Sequence, residues 1–204
     1  MKFTYNIINN VLYKFIIYAI DNNNNAIAPA TLEITAPQIP TPEDLELRAP
    51  RIKIPDSIAD FCRTDNYERA IHTYSSYGLN REAAIRGEYP NPVDVVAHPR
   101  TDEELERVLT WASDKKIIAI PYGAGSSVVD GTNPPDDASA VVTIDMDQFD
   151  QVLEIDDTSR AARIQAGVYG PHLEDQLRPR GYTLRHFPQS FALSTLGGWI
   201  ATRS

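Results

Sequence analysis

Two short stretches of this sequence hold residue types at spacings that could do chemistry. The first is IPYGAGSSVVDG, residues 120–131, where Gly123, Gly125 and Gly131 and the adjacent Ser126 and Ser127 follow an apolar run. A loop of this composition offers backbone N–H groups, hydroxyls and close main-chain approach, which together suit a bound anion such as a pyrophosphate. The alternative is a glycine-rich turn with no ligand. Two phosphate motifs are excluded. A P-loop needs a lysine to reach the outer phosphates, and residues 117–204 contain none. A dinucleotide fingerprint needs a third glycine opening a helix, but that position is Val128 and VDGTNPPDD follows. The second stretch is RHFPQSFALSTLGGWIATRS, residues 185–204, where hydroxyls at Ser190, Ser194, Thr195 and Thr202 surround Gly197 and Gly198. Its alternative reading is a surface turn entering a helix.

Bulk properties narrow the ligand. The 204 residues allow one domain, or one and part of a second, and 42% hydrophobic content suffices for a buried core. The net charge of −9 argues against nucleic acid, whose phosphates call for clustered Lys and Arg. An anion must therefore be held locally, by N–H groups and a few arginines. Cys62 is the one cysteine, which excludes a disulfide framework and a cysteine-based zinc site. His72, His98, His172 and His186 lack metal-ligand spacing, so no metal is expected.

The elements that would position both stretches follow from periodicity. VDVVA (93–97) reads as a buried strand. TDEELERVLTWAS (101–113) reads as a helix with Thr101 and Glu104 at capping-box spacing and an apolar face of Leu105, Val108, Leu109 and Ala112. IIAI (117–120) is a second strand, so 93–120 is a β-α-β unit that ends at the glycine loop. Strands are predicted at 140–145, 151–156, 161–167 and 182–185, and a helix at 170–181 with Pro171 in its first turn and Gly181 as its stop. Upstream, residues 36–56 carry Pro37, Pro40, Pro42, Pro50 and Pro55 and read as an extended arm. Residues 64–78 read as an amphipathic helix with Tyr67, Ala70, Ile71 and Tyr74 on its apolar stripe, and His72 off it in solvent.

Taken as a pair, in this order and about sixty residues apart, PYGAGSSV and FPQSFALSTLGGWIATRS resemble the FAD-binding domain of the vanillyl-alcohol oxidase superfamily (PCMH-type). The nearest likeness is to its alkyldihydroxyacetonephosphate synthase branch and to bacterial FAD-linked oxidases, and it covers roughly residues 45–204. The Trp of GGWIATRS favours the synthase branch over the glycolate and D-lactate dehydrogenases. The resemblance implies an α+β fold: a Pro-rich and helical arm, then the first subdomain and the start of the second of a PCMH-type domain. It implies FAD at Pro121, Tyr122, Gly123, Ala124, Gly125, Ser126 and Ser127, which would wrap the pyrophosphate. It also implies contacts along the flavin from Gln189, Ser190, Phe191, Ala192, Leu193, Ser194 and Thr195, then Thr202, Arg203 and Ser204. His186 matches a histidine that the synthases place near the flavin. Members that attach FAD covalently use a His in the glycine loop; the matching position is Gly125, so non-covalent FAD is expected.

The resemblance leaves two chemistries open. One is exchange of an acyl for an alkyl chain on a lipid phosphate, with the flavin as a covalent trap. The other is hydride removal from an alcohol or 2-hydroxy acid. A non-catalytic flavin-binding fragment is the third reading, because the family domain continues beyond Ser204 into a substrate domain. A homodimer belongs to the expectations for the full-length parent. The expected organisation is an extension over 1–35, disordered or mis-assigned, a Pro-rich and helical arm over 36–90 and the FAD domain over 91–204. VLYKFIIYAI (11–20) is too short and too interrupted by Lys14 for a membrane span. Lys2 and AIA (26–28) hint at a secretory signal, but Pro29 opposes cleavage. A bacterial cytoplasmic home is expected, or a peroxisomal one for a eukaryotic synthase.

Overall fold

A computed structural model describes residues 12–20, 26–35 and 40–204. The chain separates into two compact units, residues 1–40 and 41–204. In the first, β1 (Leu12–Ile20) pairs antiparallel with β2 (Ala26–Thr35), with a register irregularity between Ile17 and Ala19. These strands fall within the stretch read above as an extension.

The second unit is built on a four-stranded sheet of β3 (Cys62–Arg63), β4 (Val95–Ala97), β5 (Ile118–Tyr122) and β6 (Val141–Asp145), in the order β3-β4-β6-β5. β4, β5 and β6 run parallel, and β3 is antiparallel to β4. The predicted β-α-β unit is present, but β6 enters between its two strands. That places β5 at the sheet edge, where Pro121, which has no N–H to give a ladder, is tolerated.

The strands read as apolar runs because both faces of the sheet are covered. On one face Val95, Ala97, Val142 and Ile144 meet Val108, Trp111 and Ala112 of α3 (Asp102–Lys115), together with Ile58, Phe61 and Cys62. On the other, Val93, Val96, Ile120, Ala138 and Val141 pack together. α3 begins where expected: Thr101 Oγ1 accepts from the Glu104 N–H at 3.3 Å. The predicted box is only half formed. The Glu104 carboxylate instead accepts from the Arg100 main chain and guanidinium, at 2.7 and 3.0 Å. The buried face is turned toward Trp111, and Leu109, predicted inside, is 46% exposed.

The helix predicted over 64–78 is corrected to a shorter one, α1 (Asn66–Ile71), and a second short helix that was not predicted, α2 (Arg81–Ile85), follows it. Half of the predicted stripe holds, with Ala70 buried and Tyr74 half-buried, but Tyr67 and Ile71 are exposed, while Arg69, His72 and Thr73 are buried. Periodicity cannot see that Arg69 satisfies two main-chain carbonyls inside, Val93 O at 2.7 Å and Arg48 O at 2.8 Å. The proline-rich arm is fixed by Asp94, which receives Arg48 and Arg51 at 2.7 and 2.8 Å and the Arg51 and Val141 N–H groups at 2.8 Å each.

Beyond β6 a further core begins. β7 (Val152–Asp156) and β8 (Ala161–Ile164) form an antiparallel ribbon, α4 (Gly170–Leu177) follows, and α5 (Leu196–Thr202) closes the chain. Val168, Leu173, Leu177 and Trp199 are buried together against Val152, Ile155, Ile164 and Phe191. Gly181, at φ 79°, ends this helical segment as predicted. The strand predicted at 182–185 is absent: Thr183 and Leu184 give their hydroxyl and N–H to the buried Glu174 carboxylate rather than to a neighbouring strand. This is the expected α+β arrangement of a first subdomain and the start of a second.

Candidate functional site

The glycine loop leaves the carboxyl end of β5, where parallel strands expose their C-terminal ends and ligands commonly bind. Tyr122, its last strand residue, is buried and donates its hydroxyl to Ile71 O at 3.1 Å. Burial, with smaller contributions from Asp145 and Tyr169, pushes the phenol up to about 12, so it stays a neutral donor.

Two glycines are then required by space. A side chain on Gly125, which has φ 60°, would start 2.0 Å from the Tyr122 hydroxyl. One on Gly123 would start 2.3 Å from Thr195 Oγ1. The second contact joins the two motifs of the sequence: Thr195 sits against the first residue of the glycine loop.

The loop is tied down from its outer side. Gly125 O accepts from the Ser76 N–H at 2.7 Å, and Ser127 O from the Ser75 hydroxyl. Ser127 Oγ accepts from the Gly131 N–H at 2.9 Å and so shapes the turn. Among the described residues, the N–H groups of Gly123, Ala124, Gly125, Ser126 and Ser127 have no acceptor. Five consecutive donors without an acceptor, on a loop anchored through its carbonyls, are the kind of group that the oxygens of a pyrophosphate call for. The residues present therefore fit the dinucleotide expected here.

The second motif divides into packing and exposed parts. Thr195 caps α5 and forms an antiparallel bridge with Tyr169. Ser194 is buried, gives its hydroxyl to Ser190 O at 2.7 Å and accepts the Trp199 indole N–H at 2.6 Å. Phe191 stacks on Trp199 at 5.9 Å. Phe191 and Ser194 thus hold the segment's shape, while Gln189, Ala192 and Leu193 are exposed. His186 lies edge-on to Trp199 at 5.5 Å and lines a cavity of about 350 Å³ with Leu184, Leu196, Ile200 and Arg203. Thr202, Arg203 and Ser204 stand at the far end of α5, about 10 Å from Thr195 at 1.5 Å rise per residue.

One cluster is invisible in the sequence. His72 is corrected from solvated to buried, at 4% exposure. Its Nε2 lies 2.8 Å from Asp145 Oδ2 and its Nδ1 lies 2.8 Å from Glu68 O. His98 joins through Glu68 Oε1 at 3.0 Å and approaches Asp145 and Asp147 at 3.9 and 3.8 Å. Asp145 pairs in register with Tyr122, so the cluster sits directly behind the glycine loop. Three separate segments supply it, 68–72, 98 and 145–147, and no spacing pattern could have brought all three together.

Comparison with known proteins agrees with this geometry. The family model "FAD binding domain" matches residues 93–204. The alkyldihydroxyacetonephosphate synthase of Dictyostelium discoideum is 38% identical over 72% of this chain, which spans 24% of that relative. An uncharacterised FAD-linked oxidoreductase of Escherichia coli strain K12 is 35% identical over 59% of this chain and 25% of its own length. A solved alkyldihydroxyacetonephosphate synthase superposes with a TM-score of 0.74 at 32% identity, covering 81% of this chain and 33% of its own. The chain therefore spans about a quarter of the length of the curated relatives it matches. No described helix is long and apolar enough to cross a membrane. With both motifs in contact and a family model across more than half the chain, the protein belongs to the FAD binding domain family, and its cofactor is FAD.

Proposed function

We propose that this chain is the FAD-binding part of a flavoenzyme that exchanges an acyl for an alkyl chain on acyl-dihydroxyacetone phosphate. The observation that carries the reading is the likeness to the synthases, at 38% identity over 72% of the chain. Bound FAD supplies an electrophilic, redox-capable ring. The residues of this chain hold and orient it. The free N–H groups of 123–127 take the pyrophosphate and leave no covalent anchor, since Gly125 stands where a linking histidine would be. His186, half-buried beside Trp199, is the side chain of this segment proposed to exchange a proton beside the flavin ring; its contact with Trp199 supports the reading.

The test uses the full-length protein that carries this chain. Supplied with acyl-dihydroxyacetone phosphate and a long-chain alcohol, it is expected to release fatty acid and form the ether without net dye reduction or oxygen uptake. Dye reduction with an alcohol or 2-hydroxy acid, and no ether formed, would assign it to the FAD-linked oxidoreductases instead. Replacement of His186 by Ala is expected to spare flavin content and lower turnover; an unchanged rate returns His186 to a packing role.

A further inference from the structure

We propose that His72 is a positioning residue for the pyrophosphate loop, and that the loop's hold on FAD loosens when the His72 imidazolium gives up its proton. The proposal rests on the reading of residues 123–127 as the pyrophosphate nest.

The geometry starts with the two ring nitrogens. Nε2 faces Asp145 Oδ2 and Nδ1 faces Glu68 O, each at 2.8 Å, with Glu68 Oε1 at 3.2 Å from Nδ1. A main-chain carbonyl and an ionised carboxylate only accept. The ring can satisfy both only by donating from both nitrogens, which makes it an imidazolium. The charged groups around it come from every neighbouring element: Glu68 on α1, Asp145 at the end of β6, Asp147 just after it, and His98 just after β4. The phenols of Tyr122 and Tyr169 complete the set. Burial alone would lower the proton affinity of His72. The hydrogen bonds to Asp145 and Glu68 O and the two carboxylate charges outweigh it and raise it above the ordinary imidazole value.

This charge is mechanically connected to the loop. The last turn of α1 supplies the carbonyl that fixes His72 and, three residues on, the carbonyl that receives the Tyr122 hydroxyl at 3.1 Å. The Tyr122 ring lies 4.7 Å from the His72 ring, and its hydroxyl fills the space beneath Gly125. Asp145, held by His72, is the register partner of Tyr122. The Asp147 N–H returns to Asp145 Oδ1 at 3.0 Å. One proton thus keeps α1, the exit of β5 and the exit of β6 together at the point where the nest begins. When it leaves, one of the two ring hydrogen bonds must break inside a buried site. A group whose proton affinity is raised by folding stabilises at low pH and stops doing so as pH rises through its folded value.

The experiment measures FAD affinity of the full-length apoprotein by flavin fluorescence from about pH 6.5 to about pH 9. Wild type is expected to weaken about tenfold across that range, and His72→Gln, which bonds but never charges, to bind more weakly with a flat profile. A flat wild-type profile, or an undiminished slope in His72→Gln, overturns the proposal. Should His72→Gln fail to fold, the His72 ring titration in wild type, followed by NMR, must share its midpoint with the affinity change; a different midpoint overturns it as well. Gly125→Val is the control for the nest. If that variant binds FAD as wild type does, the nest reading itself fails, a result distinct from a flat wild-type profile.

Discussion

Thr195 Oγ1 occupies the space in which a side chain on Gly123 would begin, 2.3 Å from the position of a β-carbon. The two residues lie 72 positions apart, and each belongs to one of the two motifs that mark the cofactor. The contact makes the loop and the cap of α5 one mechanical unit. Gly123→Ala is expected to cost about 1–3 kcal/mol through overpacking and to empty the protein of flavin. Thr195→Ala alone removes a helix cap, worth about 1 kcal/mol. In the double variant the clash is relieved, so its loss in urea unfolding should be smaller than the sum of the singles. Strict additivity would show that the two residues do not press on each other.

The Trp199 indole N–H is buried and has the Ser194 hydroxyl as its partner at 2.6 Å. Ser194→Ala leaves that donor unsatisfied in the second core. A loss of about 1–3 kcal/mol is expected, visible as a lower melting temperature. Ser194→Thr keeps the hydroxyl and should lose less; equal losses would point to shape and not to the hydrogen bond.

Asp94 is fully buried. Burial would raise its carboxyl, but Arg51, Arg48 and the Arg51 and Val141 N–H groups overcome that and hold it at about 2. A carboxyl lowered by folding stabilises fully above its unfolded value and loses that contribution as pH falls toward the folded one. Between about pH 4 and about pH 2, wild type should therefore lose stability that Asp94→Asn never had. At neutral pH that variant should be weaker by about 3 kcal/mol, the low end for a broken buried pair because both arginines are part-exposed. Equal acid sensitivity in the two proteins would remove Asp94 from the account.

Cys62 is buried among Ile58, Phe61 and the residues of α3. Burial, helped by Asp60 and opposed by Arg63, pushes its thiol up to about 12. An exposed thiol reagent at about pH 8 should leave the native protein unlabelled and label it fully in denaturant. Rapid native labelling would mean that this core opens readily.

The sequence by itself determined the parts whose signals are local. The β-α-β run 93–120, with its cap at Thr101, and the glycine-rich turn after it were legible, because turns, caps and buried strands impose residue types on neighbouring positions. Even the cofactor was within reach, through the family resemblance that two glycine- and hydroxyl-rich stretches carry. Tertiary structure alone decided what those stretches touch. It set β6 between β4 and β5, placed Thr195 against Gly123 and gave the Thr183 and Leu184 donors to Glu174 instead of a strand. It also shifted the buried side of α1, keeping Ala70 inside but burying Arg69 and His72 and exposing Tyr67 and Ile71. The reason is common to these cases. Hydrophobic periodicity assumes that charged groups face water, whereas a charge moves inside when carbonyls and carboxylates from distant segments converge on it. Convergence of that kind has no spacing in the chain and exists only once the sheet has brought Glu68, His72, His98 and Asp145 together.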